Sequence, residues 1–200
     1  LVRIMKKIKV AVNGYGVIGK RVVEAVTLQD DMELVGVGDV AADWRIKVAD
    51  AKGYPLFANT EEGRKAMNEQ NISVAGDLDD MLSKADLVVD CAPAKFGAKN
   101  AEKYKLAGIK YIVQGGEKHE ATGHSFSAEN NYSSAINRES TRVVSCNTTS
   151  IVRTLSALKR AGLLEKARGT LLRRATDPWE SHKNGIMNTL VPEQNIPSHQ

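Results

Sequence analysis

Cys146 stands in the stretch Val-Val-Ser-Cys-Asn-Thr-Thr-Ser (residues 143–150), between an apolar run at 142–144 and a helical pattern over 151–160. A thiol so placed can fill a core as a small hydrophobe, ligate a metal, or act as a nucleophile. Metal ligation needs partners at short spacing, yet the chain has no Cys-x-x-Cys and its histidines lie far from Cys146 in sequence. The nucleophile reading has a physical motive. Unpaired N–H groups where a helix begins favour the thiolate. Asn147, Thr148 and Thr149 add caps and donors able to hold an oxyanion as it develops. The packed-core reading stays open beside it.

A second candidate is Asn-Gly-Tyr-Gly-Val-Ile-Gly, which puts Gly14, Gly16 and Gly19 in the Gly-x-Gly-x-x-Gly spacing between a strand-like and a helix-like run. In that context Gly14 permits the tight turn, Gly16 the close approach of a pyrophosphate, and Gly19 close helix–strand packing. The helix start then offers N–H groups and a positive dipole end to the diphosphate. Asp39 ends the next strand-like run, twenty residues after Gly19. A carboxylate there accepts hydrogen bonds from the adenosine ribose and repels a 2′-phosphate, which favours NAD over NADP. Two alternatives stand beside this: Asp39 as a turn or cap residue, and Arg45 as an accommodating cation for a phosphate.

These residues need a frame, and the apolar pattern predicts one. Strand-like runs fall at 8–14, 33–39, 72–76, 86–93, 109–116, 141–146 and 167–175. Helical patterns fall at 19–29, 60–70 (capped by Thr60), 77–85, 97–108 and 150–160, with a short helix ending at Gly53 and another near 132–136. The strands are near-continuous apolar runs, as expected for strands covered on both faces. Alternation of strand and helix predicts an α/β fold, a Rossmann-type doubly wound parallel sheet.

The bulk numbers agree with a globular protein. Of 200 residues, 42% are hydrophobic and 26% charged. The net charge of +4 suits anionic substrates, phosphates above all. Aromatics make up only 5% and do not interleave with the basic residues, which argues against nucleic-acid binding as a primary role. The pattern shows neither signal peptide nor membrane span. Two widely separated cysteines, Cys91 and Cys146, point to a reducing, cytoplasmic setting. Cys91 closes an apolar strand and reads as core.

Taken in order, Val-Asn-Gly-Tyr-Gly-Val-Ile-Gly-Lys-Arg-Val, Gln-Gly-Gly-Glu-Lys-His-Glu, Val-Val-Ser-Cys-Asn-Thr-Thr-Ser-Ile-Val-Arg-Thr-Leu and Arg-Arg-Ala-Thr-Asp-Pro resemble the archaeal type of phosphorylating glyceraldehyde-3-phosphate dehydrogenase. The resemblance runs from about Lys7 to the end of the chain. It implies a dinucleotide-binding domain over 1–145 followed by the beginning of an α+β catalytic domain over 146–200, in a homotetramer when the chain is full length. It implies a small phosphorylated aldehyde and inorganic phosphate as substrates, and NAD or NADP as cofactor. Cys146 matches the family's nucleophile. Ser145, Asn147 and Thr148 flank the substrate, and His199 and Gln200 match a His-His pair that touches substrate phosphate, from which Gln200 departs. Val17, Ile18, Gly115, Gly116 and Arg174 match cofactor positions. Where the family often carries Thr-Lys-Thr, this chain has Gly-Asp-Val, which again favours NAD.

The resemblance also places the catalytic histidine beyond residue 200. It therefore implies a chain short of roughly two fifths of the family's domain pattern, one that binds dinucleotide but turns over poorly or not at all. His119 reads as a loop or surface residue, and His124 and His182, in polar loops, show no partner at the level of sequence. The alternatives kept open are a related acyl-phosphate reductase of the semialdehyde dehydrogenase type, and a non-catalytic dinucleotide-binding module.

Overall fold

A computed structural model describes residues 6–93 and 96–170. The chain divides into two compact units after Val144. The first is built on an eight-stranded sheet in the order β4-β3-β2-β1-β5-β6-β8-β7, with every neighbouring pair parallel. The strands are β1 (Ile8–Asn13), β2 (Met32–Asp39), β3 (Leu56–Ala58), β4 (Gly76–Asp77), β5 (Leu87–Asp90), β6 (Lys110–Val113), β7 (Ser125–Phe126) and β8 (Ser140–Val143). Its helices are α1 (Gly19–Thr27), α2 (Trp44–Ala51), α3 (Glu61–Glu69), α4 (Leu78–Leu82), α5 (Phe96–Leu106) and α6 (Ala128–Ala135); the second unit opens with α7 (Cys146–Arg160).

Strand periodicity divides the core between the two faces. In β1, Val12 joins Val23, Val37, Ile46 and Met67 beneath α1, α2 and α3, whereas its neighbour Ala11 joins Met81, Val88, Ala101 and Tyr104 beneath α4 and α5. In β3, Leu56 and Ala58 face the first group and Phe57 the second. This is the doubly wound parallel sheet that the alternating pattern predicts. Chain order starts in the middle at β1, runs outward through β4, and returns to β5 on β1's other side. The carboxyl end of β1 is therefore the point where the strand order reverses, which is where such sheets bind ligands.

Several elements differ from the sequence expectation. The segment 72–76 contributes only its last residue to β4, because this edge strand is two residues long. Strand β3 is absent from the sequence reading; three residues between turns carry too little periodicity. Residues 167–170 form no strand, and the rest of 167–175 lies outside the described residues. Caps behave as their chemistry dictates. Thr60 accepts from the Gly63 N–H at the start of α3, and Asp77 and Asp80 form a reciprocal capping box on α4.

On the face beneath α4 and α5, a polar cluster inside the apolar core ties the strand ends to α5. Asp90, 0% exposed at the end of β5, accepts at Oδ2 from the Tyr104 hydroxyl (2.5 Å), Asn100 Nδ2 (2.8 Å) and Asn13 Nδ2 (3.3 Å). Its Oδ1 accepts from the Ala92 N–H at 2.9 Å. Burial, then the charge of Asp90, push the Tyr104 hydroxyl well above its ordinary pKa, so it stays a donor. Tyr104→Phe is expected to lower stability by about 1–3 kcal/mol, the cost of leaving buried polar atoms short of a partner. Urea unfolding with an unchanged slope and an earlier midpoint would show it; an unchanged midpoint would contradict the role given to this hydroxyl.

Candidate functional site

The candidate dinucleotide loop lies on the sheet unit, where β1 gives way to α1. Gly14 has φ +95°, and a Cβ there would meet Ala92 N and Cys91 C at 3.0 Å. Gly19 is tighter still: a Cβ would fall 1.8 Å from the Gly14 carbonyl oxygen. Gly16 differs from both. Its Cβ would meet only Arg45 Nη1, at an ordinary 3.7 Å. The fold thus demands glycine at 14 and 19, while the demand at 16 is left to a ligand. Val17 is partly buried and Ile18 exposed. The α1 cap residue, Ile18, has no side-chain oxygen to offer, and no side chain caps this helix start. Such N–H groups suit a diphosphate.

Asp39 lies at the end of β2 beside this loop. Its Oδ2 accepts the Tyr15 N–H at 2.6 Å, and Oδ1 accepts those of Val40 and Ala41 at 2.7 and 2.9 Å. The turn-closing role weighed for Asp39 is therefore present, and it ties the glycine loop to β2. A carboxylate has about four lone-pair sites, so a ribose hydroxyl still has room to bind. Further along the sheet, Gly115 and Gly116 follow β6. A Cβ on Gly115 would meet the Ala92 carbonyl at 2.1 Å, and Gly116 has φ +96°. The neighbouring Glu117 is buried, with its carboxyl against Gly97 and Gly115. Burial raises its pKa, partly offset by the N–H groups of Glu117, Gly115 and Gly97.

The nucleophile candidate belongs to the second unit. Cys146 is the first residue of α7 and is exposed. Ser145 is the cap: its Oγ accepts the Thr148 N–H at 3.1 Å and lies 3.0 Å from Thr148 Oγ1. The helix begins four residues earlier than the apolar pattern indicates, because Cys-Asn-Thr-Thr is polar and carries no periodicity. Asn147, Thr148 and Thr149 are thus first-turn residues, and the capping expected of them falls to Ser145. Asn147 and Thr148 are half-buried. Arg174, His199 and Gln200 lie outside the described residues. Among the described residues no cluster of three or more His, Cys, Asp or Glu is arranged to hold a metal, and no helix is long and apolar enough to cross a membrane.

Of the histidines weighed above, His182 lies outside the described residues, and His119 and His124 have partners. His119 Nδ1 lies 2.9 Å from Ser125 Oγ, which also accepts from Arg142 Nε at 2.7 Å. His124 is 8% exposed and bonds Thr141 and Ser134 through its two ring nitrogens at 2.7 and 2.8 Å. Sequence reasoning also missed the Asn13–Asp90–Tyr104 cluster. One signal was available: two apolar strands, β1 and β5, each end in a polar residue, Asn13 and Asp90.

Residues 8–147 match the family model described as dihydrodipicolinate reductase, N-terminus. The chain belongs to that family. This family's match covers the sheet unit and stops one residue past Cys146. Similarity to whole proteins reaches further. The chain is 48% identical over 196 residues to the glyceraldehyde-3-phosphate dehydrogenase of Methanococcoides burtonii, covering 98% of this chain and 58% of that protein. It is 48% identical over 197 residues to the enzyme of the same name from Archaeoglobus fulgidus, covering 98% and 57%. The resemblance to the archaeal enzymes thus holds over nearly the whole chain, which spans somewhat over half the length of these relatives. Among solved structures it is similar to apo scyllo-inositol dehydrogenase from Lactobacillus casei, with 19% identity and a TM-score of 0.48, covering 79% of this chain and 43% of that one.

Two outcomes test the two regions, each taken by itself. Gly16→Ala is expected to leave the unfolding midpoint within about 0.5 kcal/mol of wild type while weakening dinucleotide binding. Gly19→Ala is expected to fail in folding; equal stability of the two variants would contradict this division. Separately, a thiol reagent at neutral pH is expected to modify Cys146 alone. Burial, only partly countered by the Gln114 amide, pushes the Cys91 thiol up to about 12, so Cys91 reacts only after denaturation. Mass spectrometry of labelled peptides reads the outcome.

Proposed function

We propose that this chain carries the dinucleotide-binding part and the nucleophile of a phosphorylating glyceraldehyde-3-phosphate dehydrogenase. The observation that carries this reading is the pairing of a dinucleotide loop with an exposed cysteine at a helix start, in a chain 48% identical to archaeal enzymes of that name. The substrates are a small phosphorylated aldehyde and inorganic phosphate. NAD is the preferred cofactor, because Asp39 keeps acceptor capacity for a ribose hydroxyl and carries the charge that a 2′-phosphate would meet. The cytoplasm, glycolysis and a homotetramer belong to the same reading.

The glycine loop and the uncapped start of α1 hold the diphosphate, with Asp39 on the adenosine ribose and Val17, Ile18, Gly115 and Gly116 along the cofactor. NAD supplies the hydride acceptor. The Cys146 thiolate adds to the aldehyde carbon; a C–S bond forms, and the carbonyl oxygen takes up a proton. N–H groups in the first turn of α7 and the Ser145, Asn147 and Thr148 side chains stabilise that oxygen while it is charged. As the hydroxyl proton leaves to a base, the carbon gives up hydride and the C=O bond re-forms as a thioester on Cys146. The aldehyde is oxidised and NAD reduced. Phosphate oxygen then attacks the thioester carbon, the Cys146 thiolate leaves, and 1,3-bisphosphoglycerate is released. Arg174, His199 and Gln200 complete the cofactor and phosphate contacts.

The test mixes protein, NAD and glyceraldehyde 3-phosphate and follows nicotinamide reduction. Reduction stoichiometric with Cys146, abolished in Cys146→Ser and made catalytic or faster by phosphate, supports the reading. Aldehyde-dependent reduction that survives Cys146→Ser would overturn it.

A further inference from the structure

Glu117 has no part in the chemistry above, yet its acid group is buried near the carboxyl end of the sheet. It is 6% exposed, and a carboxyl so placed needs donors around it. Its side chain stands between two turns. One is the start of α5: a Cβ on Gly97, the second residue of that helix, would fall 2.7 Å from Glu117 Cδ and overlap Oε1. The other is the turn after β6. A Cβ on Gly115 would lie 3.3 Å from the same Oε1 and closer still to the Ala92 carbonyl oxygen, just past β5. Burial disfavours the charged form of Glu117, while the N–H groups of Glu117, Gly115 and Gly97 favour it. The backbone of Glu117 is held separately, its carbonyl accepting Arg142 Nη1 from β8 at 2.8 Å.

The strand order decides which part of a ligand meets this corner. Strand β2, with Asp39, lies on one side of β1, and β5 and β6 lie on the other. A dinucleotide with its diphosphate at the start of α1 and its adenosine ribose on Asp39 runs its second nucleoside over the ends of β5 and β6. Ala92, Pro93, Gly115 and Gly116 follow those ends, and they offer backbone rather than long side chains. Such a surface is set from beneath. Apolar packing tolerates small shifts, whereas one carboxyl group facing the N–H groups of two turns fixes their separation. We propose that Glu117 is a positioning residue for the nicotinamide half of the dinucleotide: its carboxyl sets the turn after β6 against the start of α5, and so places the backbone on which that half rests. This rests on the dinucleotide-binding reading given above.

The sheet itself does not depend on this contact. The Gln114 N–H donates to Asp90 O at 3.1 Å, and Gln114 Nε2 to Cys91 Sγ at 3.0 Å. Calorimetric titration of the full chain with NAD and with ADP separates the roles, since ADP keeps the adenosine and diphosphate and lacks the second nucleoside. Glu117→Gln turns an NH2 toward N–H donors. It is expected to weaken NAD by about three- to tenfold and to leave ADP unmoved. Gly97→Ala keeps the acid, but its methyl displaces the carboxyl, and alanine is favourable within a helix. The same selective loss of NAD is expected there, and this variant carries the test if Glu117→Gln does not fold. A merely structural Glu117 would shift the unfolding midpoint and leave the ratio of NAD to ADP affinity at its wild-type value. That result, or wild-type NAD affinity in Gly97→Ala, would overturn the positioning role while dinucleotide binding stands. A wild-type chain that binds neither NAD nor ADP would instead remove the dinucleotide-binding reading, and this inference with it.

Discussion

The carboxylate of Asp90 is the point on which the first unit is hung. A fully buried acid survives only if its oxygens find donors, and those donors come from three separate elements. Asn13 ends β1, Asn100 and Tyr104 lie on α5, and Ala92 begins the turn after β5. Satisfying one side chain therefore fixes the carboxyl ends of the two central strands against a helix. Asn13 passes the constraint on, since its Oδ1 accepts from Asn59 Nδ2 beyond β3 at 2.6 Å. Apolar packing alone would tolerate small shifts between these elements. The hydrogen bonds tolerate far less, and they stand directly beneath the glycine loop.

That loop inherits its shape from its neighbours. The Gly14 N–H donates to Gly38 O at 2.7 Å, Asp39 accepts the Tyr15 N–H, and Gly19 lies against the Gly14 carbonyl. Each tie holds the backbone where a diphosphate would need it, before any ligand arrives. Preorganisation of this kind lowers the ordering cost of binding. Asp39 illustrates how one side chain serves structure and recognition together. Its turn-closing bonds aim the carboxylate, and the acceptor capacity left over is directed by them.

The second unit is economical in what it describes. Helix α7 has 15 residues, an apolar stripe, and none of its residues buried. Its first turn concentrates the chemistry. Ser145 satisfies the Thr148 N–H, which leaves the sulfur of Cys146 beside the remaining donors of a helix start. Placing a thiol at the first helical position requires a polar segment there, and that polarity is what hides the helix start from a periodicity argument.

The alternation of strand and helix, the two-sided burial of the sheet, the glycine spacing and the strand-to-helix setting of Cys146 were all legible in the sequence, because each is a property of residues close together in the chain. Hydrophobic period and turn chemistry are local signals. Tertiary structure alone decided that Asp90 would draw in Asn13 and Tyr104, that Asp39 would hold the Tyr15 N–H, and that Arg45 would lie across Gly16. Those partners stand from 14 to 77 residues apart. They meet only because the strand order places β2 and β5 on either side of β1, and no local pattern encodes which strand becomes a neighbour.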